Sequence, residues 1–281
     1  MELVRHLARV EPAARAPVIA CGSFDGVHRG HQSLLERLSM LARARRTAAV
    51  VALFRAAARA AVLTNLRQQL VLFAAQGVDR VVLLGPRDPH DPSALAIRLD
   101  AAAVVTAADL APASGWAVER IARVADGHTV LTAASIRDWL SVGDLGAAER
   151  ALGRSPAVEG RVVHGFHRGA ALGVPTANLH VRRFALPPDG VYAVRARRRG
   201  GPVLDGVANI GRNPTFGNAV RSVETHLFEF GGDLYGQHLE VAFIARLRGE
   251  QKFAGVEALV AQIRMDIDAA RAALASPRDG H

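Results

Sequence analysis

Three short stretches of the sequence combine residue types that suit chemistry on phosphates. The stretch GSFDGVHRGH (22–31) ends in two histidines separated by an arginine and a glycine. The stretch GRVVHGFHRGAALGVPTANL (160–179) alternates glycine with histidine and arginine, and VETHLFEF (223–230) holds a carboxylate among apolar residues. Glycine lets a backbone pass close to a phosphate chain, and arginine adds charge and forked donors. The three stretches together predict nucleotide binding and phosphoryl transfer.

The glycine-rich stretch offers ligands for a metal ion. Thr176 and Asn178 are oxygen donors two positions apart on an extended chain, so their side chains face the same side. Such a pair beside a phosphate cradle suits Mg²⁺, which takes few protein ligands and completes its shell with phosphate and water. A structural loop is an equally good interpretation of the glycines alone. The sequence has no Walker motif, so a P-loop kinase is excluded.

Glu224 is the candidate proton acceptor. On a strand, Glu224 and His226 share one face with Phe228 and Phe230. A carboxylate among apolar neighbours, set against a substrate hydroxyl, can accept its proton during attack on a γ-phosphate. A glutamate at the rim of a sheet, held in a salt bridge, is the alternative interpretation.

Six segments from about residue 156 to 275 resemble, in order and spacing, the riboflavin kinase domain. They are GRVVHGFHRGAALGVPTANL, PPDGVYAV, GVANIGRNPTF, VETHLFEF, DLYGQHLEVAFIARLRGEQKF and QIRMDIDAAR. The resemblance implies a six-stranded antiparallel β-barrel with a terminal helix. It also implies ATP as co-substrate, Mg²⁺ or another divalent cation, and phosphorylation of riboflavin to FMN.

The same resemblance implies roles for individual residues. Glu224 is the general base, and Thr176 and Asn178 hold the metal. The ATP and phosphate ligands are Gly165, His167, Arg168, Gly169, Gly173, Thr176 and Asn178, and the flavin-side residues are Arg248, Asp266 and Arg271. Ala170 stands where bacterial members usually have arginine. Because Arg168 supplies charge nearby, we expect only a modest loss of phosphate binding.

Proteins with this kinase domain usually also carry an N-terminal FMN adenylyltransferase domain, which makes FAD. The first stretch, extended to GSFDGVHRGHQSLL, resembles the first motif of that domain. A strand runs into a glycine turn and then a helix, whose N-terminus suits an anion. His28 and His31 then offer donors to the α-phosphate of ATP as it is transferred to FMN. Asp25 fits a structural cap as well as a contact. The implied nucleotide ligands are Gly22, Phe24, Asp25, His28, Gly30, His31, Thr132 and Arg137.

The later motifs of that family are altered in this chain. A T-F-x-P-H-P-like segment reads ALFRAAARAA (52–61), and a G-x-D-F-x-F-G-like loop reads VVTAADLAPASGW (104–116). An I-S-S-T-x-x-R-like segment reads LTAASIR (131–137), in which alanines replace the central serine and threonine and Ser135 comes one position late. Losing one charge-stabilising donor costs roughly 10²–10³ in rate. These departures predict a weak or inactive adenylyltransferase.

Two kinds of element must position these residues. Strand-like runs alternate with helical stretches in the first half, which predicts an α/β, Rossmann-like parallel sheet of nucleotidyltransferase type. Its strands are PVIAC, TAAVVALF, DRVVLL, AAVVTA and HTVLTA. Ligands of such sheets bind beyond the carboxyl ends of the strands, where 22–31 lies. The predicted domains are residues 1–150, adenylyltransferase-like, and residues 156–275, the riboflavin kinase domain.

The second half changes to period-two runs separated by glycine-rich turns, which favours a small antiparallel barrel because closure removes exposed edges. In HLEVAFIARL the alternation predicts one shared face for Leu239, Val241, Phe243, Ala245 and Leu247. The stretch 253–274 has the apolar stripe of an amphipathic helix that packs on the barrel.

Composition narrows the class of protein. No segment of the 281 residues approaches the roughly 18 apolar residues of a membrane span, and charge and proline interrupt the first 20, so we expect a cytoplasmic protein with no membrane partner. Cys21 is the only cysteine, which excludes a thiolate metal cage. The net charge of +9 fits anionic small substrates. The scattered arginines, with one dense run at 195–199, argue against a nucleic-acid partner.

The leading hypothesis is therefore a riboflavin kinase with an impaired adenylyltransferase domain. A fully bifunctional enzyme that makes FMN and then FAD is the first alternative. In a second alternative the N-terminal domain is a module that binds a nucleotide or a partner protein. The hypothesis of an RNA-binding regulator is supported only by the basic net charge.

Overall fold

The computed structural model describes residues 1–11, 14–54, 61–111, 115–164, 173–181, 183–212 and 221–275. The chain forms two compact units. The first comprises Met1–Ser135 with Ala151–Gly153, and the second comprises Ile136–Arg150 with Arg154–His281. None of the helices in the described ranges has the length and hydropathy needed to span a membrane.

The first unit is built on a parallel sheet of six strands in the order β1-β4-β3-β2-β5-β6. The strands are β1 (Glu2–Val4), β2 (Val18–Gly22), β3 (Ala49–Phe54), β4 (Arg80–Leu84), β5 (Ala103–Thr106) and β6 (Ala117–Arg120). The helices are α1 (Arg29–Ala44), α2 (Leu66–Ala75) and α3 (Pro92–Arg98), with short 3-10 helices at Leu7–Arg9 and Asp25–Val27. This confirms the predicted α/β class.

Helices cover both faces of this sheet. On one face, Leu34, Leu35 and Leu38 of α1 pack with Phe73 of α2 against the strands. On the other face, Leu95 of α3 packs with the strands. The central strands therefore bury both faces, which is why they read as continuous apolar runs rather than alternating ones. The order of strands reverses at β2, because β3 lies on one side of it and β5 on the other. The carboxyl end of β2 is thus the switch point at which such sheets bind ligands.

The predicted strand HTVLTA is wrong as a member of the sheet. Its residues Thr129–Val130 form β8, which pairs with β7 (Ala125–Asp126) in a separate two-stranded hairpin. Gly127 in the two-residue connection has φ 57°, the left-handed backbone that tight hairpins require. The sheet is completed instead by β1 and β6, which are short edge strands without a long apolar run.

Two helices, α4 (Ala133–Val142) and α5 (Leu145–Leu152), precede a closed barrel in the second unit. Its strands follow the order β10-β13-β12-β11-β14-β9, and each neighbouring pair is antiparallel. They are β9 (Ala157–Val163), β10 (Ala177–His180), β11 (Gly190–Arg198), β12 (Val203–Arg212), β13 (Arg221–Leu227) and β14 (His238–Arg248). Helix α6 (Val256–Ala275) follows the last strand. The predicted six-stranded barrel with a terminal helix is confirmed.

Helix α6 packs on the outside of the barrel. Its Ala270 and Leu274 join Val191, Ala193 and Val207 in one apolar cluster. The interior is filled by the alternate residues of the same strands, such as Tyr192 and Phe243, whose rings meet edge to face. Each barrel strand therefore has two apolar faces wherever α6 covers it.

The single face predicted for HLEVAFIARL is wrong beyond Phe243. The register between β11 and β14 shifts where Phe243 pairs with Val194 but Ala245 pairs with Ala193. This β-bulge leaves the consecutive residues Ile244 and Ala245 both against the α6 cluster. The sequence thus keeps its alternation of apolar and polar residues, although the apolar residues after the bulge face the outside of the barrel.

A glycine lets the ends of β11 and β14 approach each other. Gly190 has φ 150°, and a Cβ at this position would collide with the carbonyl oxygen of Arg248. We expect Gly190→Ala to lower the free energy of unfolding by about 2–3 kcal/mol, because the two strands must separate. Urea denaturation measures the loss.

Gly231→Ala is the matched control, because among the described residues no atom lies within 4 Å of the added methyl group. It should change stability by less than about 0.5 kcal/mol. Equal losses in the two variants would contradict the close approach at Gly190.

Candidate functional site

A row of polar side chains crosses three neighbouring strands of the barrel. Asn178 on β10 pairs with Glu224 on β13, and Glu224 pairs in turn with Asn209 on β12. Directly paired residues project to the same face. Val223 and Thr225, which flank Glu224, are fully buried inside the barrel. The row of Asn178, Glu224 and Asn209 therefore lies on the outer face.

The same row reaches an ion pair at the far edge. Val191 pairs with Asn209 on one side and with Arg248 on the other. The guanidinium of Arg248 donates from Nε to Oδ1 of Asp266 at 2.9 Å and from Nη2 to Oδ2 at 2.8 Å. Gln262 also donates to Oδ1, at 2.9 Å. Because a two-bond guanidinium–carboxylate pair fixes orientation as well as distance, it locks α6 to the end of β14.

A cavity of about 650 Å³ opens beside this row. One wall is the strand face with Thr176, Asn209 and Glu224, and another is α6 with Leu259 and Ile263. The rest of the lining is Val174, Val191, Val207, Ala208, His226, Arg248, Glu250, Gln251, Lys252, Phe253 and Asp266. Apolar walls with a few convergent polar groups are typical of a site for a small organic molecule.

A smaller pocket, of about 130 Å³, shares Thr176 with the cavity. Phe230, Leu234 and Tyr235 form its apolar wall. The ring of Tyr235 also stacks on His164, with 3.9 Å between the ring centroids. Thr176 is therefore in reach of a ligand in either space.

Asn178 carries a buried oxygen that suits a metal ion. Asn178 is 7% exposed, and its Oδ1 has no hydrogen-bond partner among the described residues. An unsatisfied buried acceptor is costly, so such an atom points to a missing donor or cation. The hydroxyl of Thr176 and this oxygen are the hard donors that Mg²⁺ prefers, whereas the described residues contain no cluster of three His, Cys, Asp or Glu side chains. The residues present therefore fit a magnesium ion held with substrate phosphates.

Four of the predicted kinase residues meet at one cavity, namely Thr176, Glu224, Arg248 and Asp266. The predicted ligands Gly165, His167, Arg168 and Gly169 lie outside the described residues.

Two further predicted residues lie away from both spaces. Arg271 lines neither space. Its guanidinium carbon lies 4.7 Å from the ring centroid of Phe228, and its Nη1 lies 3.3 Å from Oε1 of Glu229. Gly173 has φ 76° and is also outside both linings.

Sequence reasoning missed several cavity residues. Asn209 joins the row only through strand register, which the sequence does not reveal. Glu250, Lys252 and Phe253 come directly after the last strand, in the quoted motif RGEQKF, and no role was inferred for them. Their signal was the run of three polar residues, Glu250, Gln251 and Lys252, between the end of β14 and the start of α6.

In the first unit, a strained turn follows the switch-point strand. Phe24 and Val27 have φ of 47° and 42°, values that side chains with a Cβ rarely adopt, and Gly26 has φ 80°. Gln69 holds the turn by donating from Nε2 to the carbonyl oxygens of Ser23 and Phe24, at 2.9 and 3.0 Å. Gly22 ends β2, with the ring of Phe24 packed over it. The turn is thus held by its surroundings rather than by its own preference.

Asp25 serves the same turn from its other side. Its Oδ1 accepts hydrogen bonds from the backbone N–H groups of Leu63 and Thr64, at 2.9 and 3.1 Å. Thr64 Oγ1 in turn accepts from the N–H of Gly26 at 2.9 Å. These bonds give Asp25 a structural function and tie residues 63–64 to the turn.

The two histidines of the turn stack on each other. The rings of His28 and His31 lie 3.7 Å apart between centroids, and Phe24 packs on His31 at 5.0 Å. Burial, and to a smaller extent the neighbouring His28, lowers the pKa of His31 to about 3. His31 is therefore a neutral donor or acceptor at physiological pH, not a cation.

A second helix start lies beside this turn. A Cβ on Gly30 would approach the ring of His28 at 3.1 Å and the carbonyl oxygen of Leu131 at 3.9 Å. Next to Leu131, the N–H groups of Thr132 and Ser135 each donate to the other's hydroxyl at 3.0 Å, at the start of α4. The hydroxyl groups of Thr132 and Ser135, the two hydroxyls within the altered LTAASIR motif, therefore lie together close to the histidine turn. Arg137 is grouped with the second compact unit.

The dense arginine run of β11 is largely neutralised. Arg195 pairs with Asp205 at 3.3 Å, and Arg197 pairs with Glu240 at 3.3 Å. Arg199 also lies 3.9 Å from the buried Glu159, so three arginines of the run are each near a carboxylate.

Two family models match the chain. The riboflavin kinase model matches residues 152–274, which include the barrel and α6. The FAD synthetase model matches residues 10–85, which include the histidine turn.

Curated relatives match both units together. A bifunctional riboflavin kinase/FMN adenylyltransferase of Pseudomonas fluorescens is 35% identical, over 99% of this chain and 99% of its own length. The protein of the same name from Escherichia coli strain K12 is 33% identical, over 95% of this chain and 96% of its own. A solved structure titled as a macrolide-efflux protein from Streptococcus pneumoniae has a TM-score of 0.82 at 25% identity, over 96% of this chain and 98% of its own.

The lowered pKa of the half-buried His31 makes the first unit sensitive to acid. Its folded pKa of about 3 lies below the ordinary value of 6.5, so the unfolded chain binds more protons between these values. The stabilisation is complete above about pH 6.5 and is lost as the pH falls, by about 2 kcal/mol at pH 5. We expect His31→Gln to remove about this much of the difference in unfolding free energy between pH 7.5 and pH 5.

Urea denaturation followed by Trp116 fluorescence measures this, in a Trp139→Phe background because the chain has two tryptophans, one in each unit. The exposed His90 supplies the control His90→Gln, which should leave the pH dependence unchanged. A His31→Gln protein with the wild-type pH dependence would show that His31 is not held neutral.

Proposed function

The chain belongs to the bifunctional riboflavin kinase/FMN adenylyltransferase family, and we propose that it phosphorylates riboflavin to FMN and then adenylates FMN to FAD. The second unit contains a riboflavin kinase domain. We assign the kinase to residues 156–275 and the adenylyltransferase to residues 1–150. The proposal for the kinase depends above all on one observation, the position of Glu224 on the wall of a ligand-sized cavity, paired with Asn178.

The two spaces, which share Thr176 as a lining residue, suit the two substrates of the kinase. The flavin ring fits the larger cavity, because Val207, Phe253 and Ile263 give it apolar walls. The nucleotide fits with its base toward Tyr235 in the smaller pocket. Its phosphates then pass Thr176, which lines both spaces. The Arg248–Asp266 pair acts at the flavin side by fixing the α6 wall.

Glu224 is placed to move a proton. When the ribityl 5′-hydroxyl lies against its carboxylate, the hydroxyl oxygen attacks the γ-phosphorus, the proton passes to Glu224, and ADP leaves. Thr176 and Asn178 would hold Mg²⁺, which supplies charge neutralisation at the phosphates when bound. Asn209, next to Glu224 in the row, has an amide that can orient the carboxylate or the hydroxyl.

The proposal of an active adenylyltransferase replaces the expectation, based on the altered motifs, that this domain is weak or inactive. Relatives that match over nearly the whole chain carry both activities in their names, which supports the bifunctional alternative. Thr132 and Ser135 supply two hydroxyls beside the histidine turn, although neither occupies the central positions of the motif. We assign the α-phosphate of ATP to the N-terminus of α1, with His28 and His31 as donors.

Glu224→Gln separates proton transfer from substrate binding. Glutamine keeps the shape of the side chain but cannot accept the proton, so we expect kcat for FMN formation to fall about 10²–10⁴-fold. Riboflavin affinity, from the quenching of flavin fluorescence, should change by less than about threefold.

Glu229→Gln is the control for Glu224→Gln, because Glu229 is on the same segment but pairs with Arg271 outside both spaces. It should leave kcat within about twofold. If Glu224→Gln lowered affinity and turnover equally, Glu224 would position substrate instead of accepting a proton.

Separation of the flavins made from riboflavin, ATP and Mg²⁺ tests the two activities together. We expect the wild-type protein to form both FMN and FAD, and His28→Ala to lower FAD formation about 10²–10³-fold while FMN formation is unchanged. The exposed His6 supplies the control His6→Ala, with both products unchanged. If FMN were the sole product of the wild-type protein, the bifunctional proposal would be contradicted and the hypothesis of an impaired adenylyltransferase domain would stand.

A further inference from the structure

His226 lies at the edge of the proposed transfer site. It follows Glu224 by two residues on β13, so both side chains project to the outer face of the barrel, and both line the large cavity. The register that pairs Ala177 with Thr225 brings Thr176 opposite His226 when it is continued by one residue. His226 is thus the neighbour of both the proposed base and the proposed metal ligand.

One hydrogen bond connects His226 to the chain before β10. Its Nδ1 lies 2.8 Å from the carbonyl oxygen of Pro175. A carbonyl oxygen only accepts, so Nδ1 carries the proton and donates, and Nε2 is the acceptor of the neutral ring. The ring of Phe228 meets the imidazole edge to face at 5.9 Å and restricts its rotation.

This bond extends the strand pairing where the backbone cannot. Ladder pairing between β10 and β13 ends at Ala177, and Pro175 has no N–H to continue it. The side chain of His226, on the partner strand, instead supplies a donor to the carbonyl of Pro175. Since Pro175 directly precedes Thr176, this contact restrains the backbone from which the Thr176 hydroxyl projects.

We propose that His226 is a positioning residue for phosphoryl transfer, which holds Thr176 beside Glu224 through the carbonyl group of Pro175. This inference rests on the proposed kinase activity. His226 does not exchange a proton with substrate in this function. It sets the distance between the metal-binding hydroxyl and the base, and misplacing such a group by about 1 Å can cost about 10²-fold in rate.

Two substitutions of His226 separate the donor from the ring. In His226→Asn the amide nitrogen of the new side chain would lie where Nδ1 lies now, so this variant keeps the bond, whereas His226→Leu removes it. We expect His226→Leu to lower kcat/KM for ATP about tenfold or more and to raise the Mg²⁺ concentration for half-maximal activity several-fold, roughly the effect of one lost hydrogen bond and the resulting misplacement. His226→Asn should stay within about threefold of the wild type in both.

Riboflavin binding without nucleotide, measured by quenching of flavin fluorescence, should change by less than about threefold in either variant, because His226 meets the cavity beside Thr176 and not at the apolar walls assigned to the flavin ring. His180→Leu, on β10 but exposed and outside both linings, is the control. Equal losses in His226→Asn and His226→Leu, or a loss of riboflavin binding with unchanged ATP and Mg²⁺ dependence, would overturn the positioning role. A wild-type protein that forms no FMN would instead refute the proposed kinase activity.

Discussion

Strand register on the outer face of the barrel determines where each group of the proposed transfer site lies. Each barrel strand is hydrogen-bonded on both sides, so no strand can shift alone. A shift of β13 by one residue would carry Glu224 into the interior and bring Thr225 to the cavity. The register that pairs Asn178, Glu224 and Asn209 is thus fixed by the closure of the barrel.

The C-terminal helix turns that strand face into a site. Without α6 the row would face solvent, and a ligand bound there would keep its water. The helix is held at one place by apolar packing and at another by the Arg248–Asp266 pair. A largely buried ion pair is weak as a source of stability, because desolvation offsets most of its attraction. Its directional bonds instead fix the angle of the helix and therefore the width of the cavity.

The sequence predicted the architecture better than it predicted the sites. Alternating apolar runs and helical stretches were sufficient for the parallel sheet, but the edge strand Ala117–Arg120 has no apolar run and was missed. The β-bulge at Ile244 and Ala245 broke a regular alternation, because a bulge adds a residue to one strand without changing the pattern of letters. Asn209 was missed for a related reason, since pairing across strands is a long-range property. In the first unit, comparing motifs letter by letter showed Ser135 one position late, and only the structure shows that its hydroxyl lies 3.1 Å from that of Thr132.

The geometry of the transfer site can be measured directly by a crystal structure with riboflavin, ADP and Mn²⁺, in which the anomalous signal locates the metal. We predict a manganese peak bound by Asn178 Oδ1 and the Thr176 hydroxyl. We also predict the flavin ring between β12 and α6, with the ribityl 5′-hydroxyl against Glu224. A metal peak away from Asn178, or a ribityl chain that ends away from Glu224, would contradict the assembly of the site by barrel register.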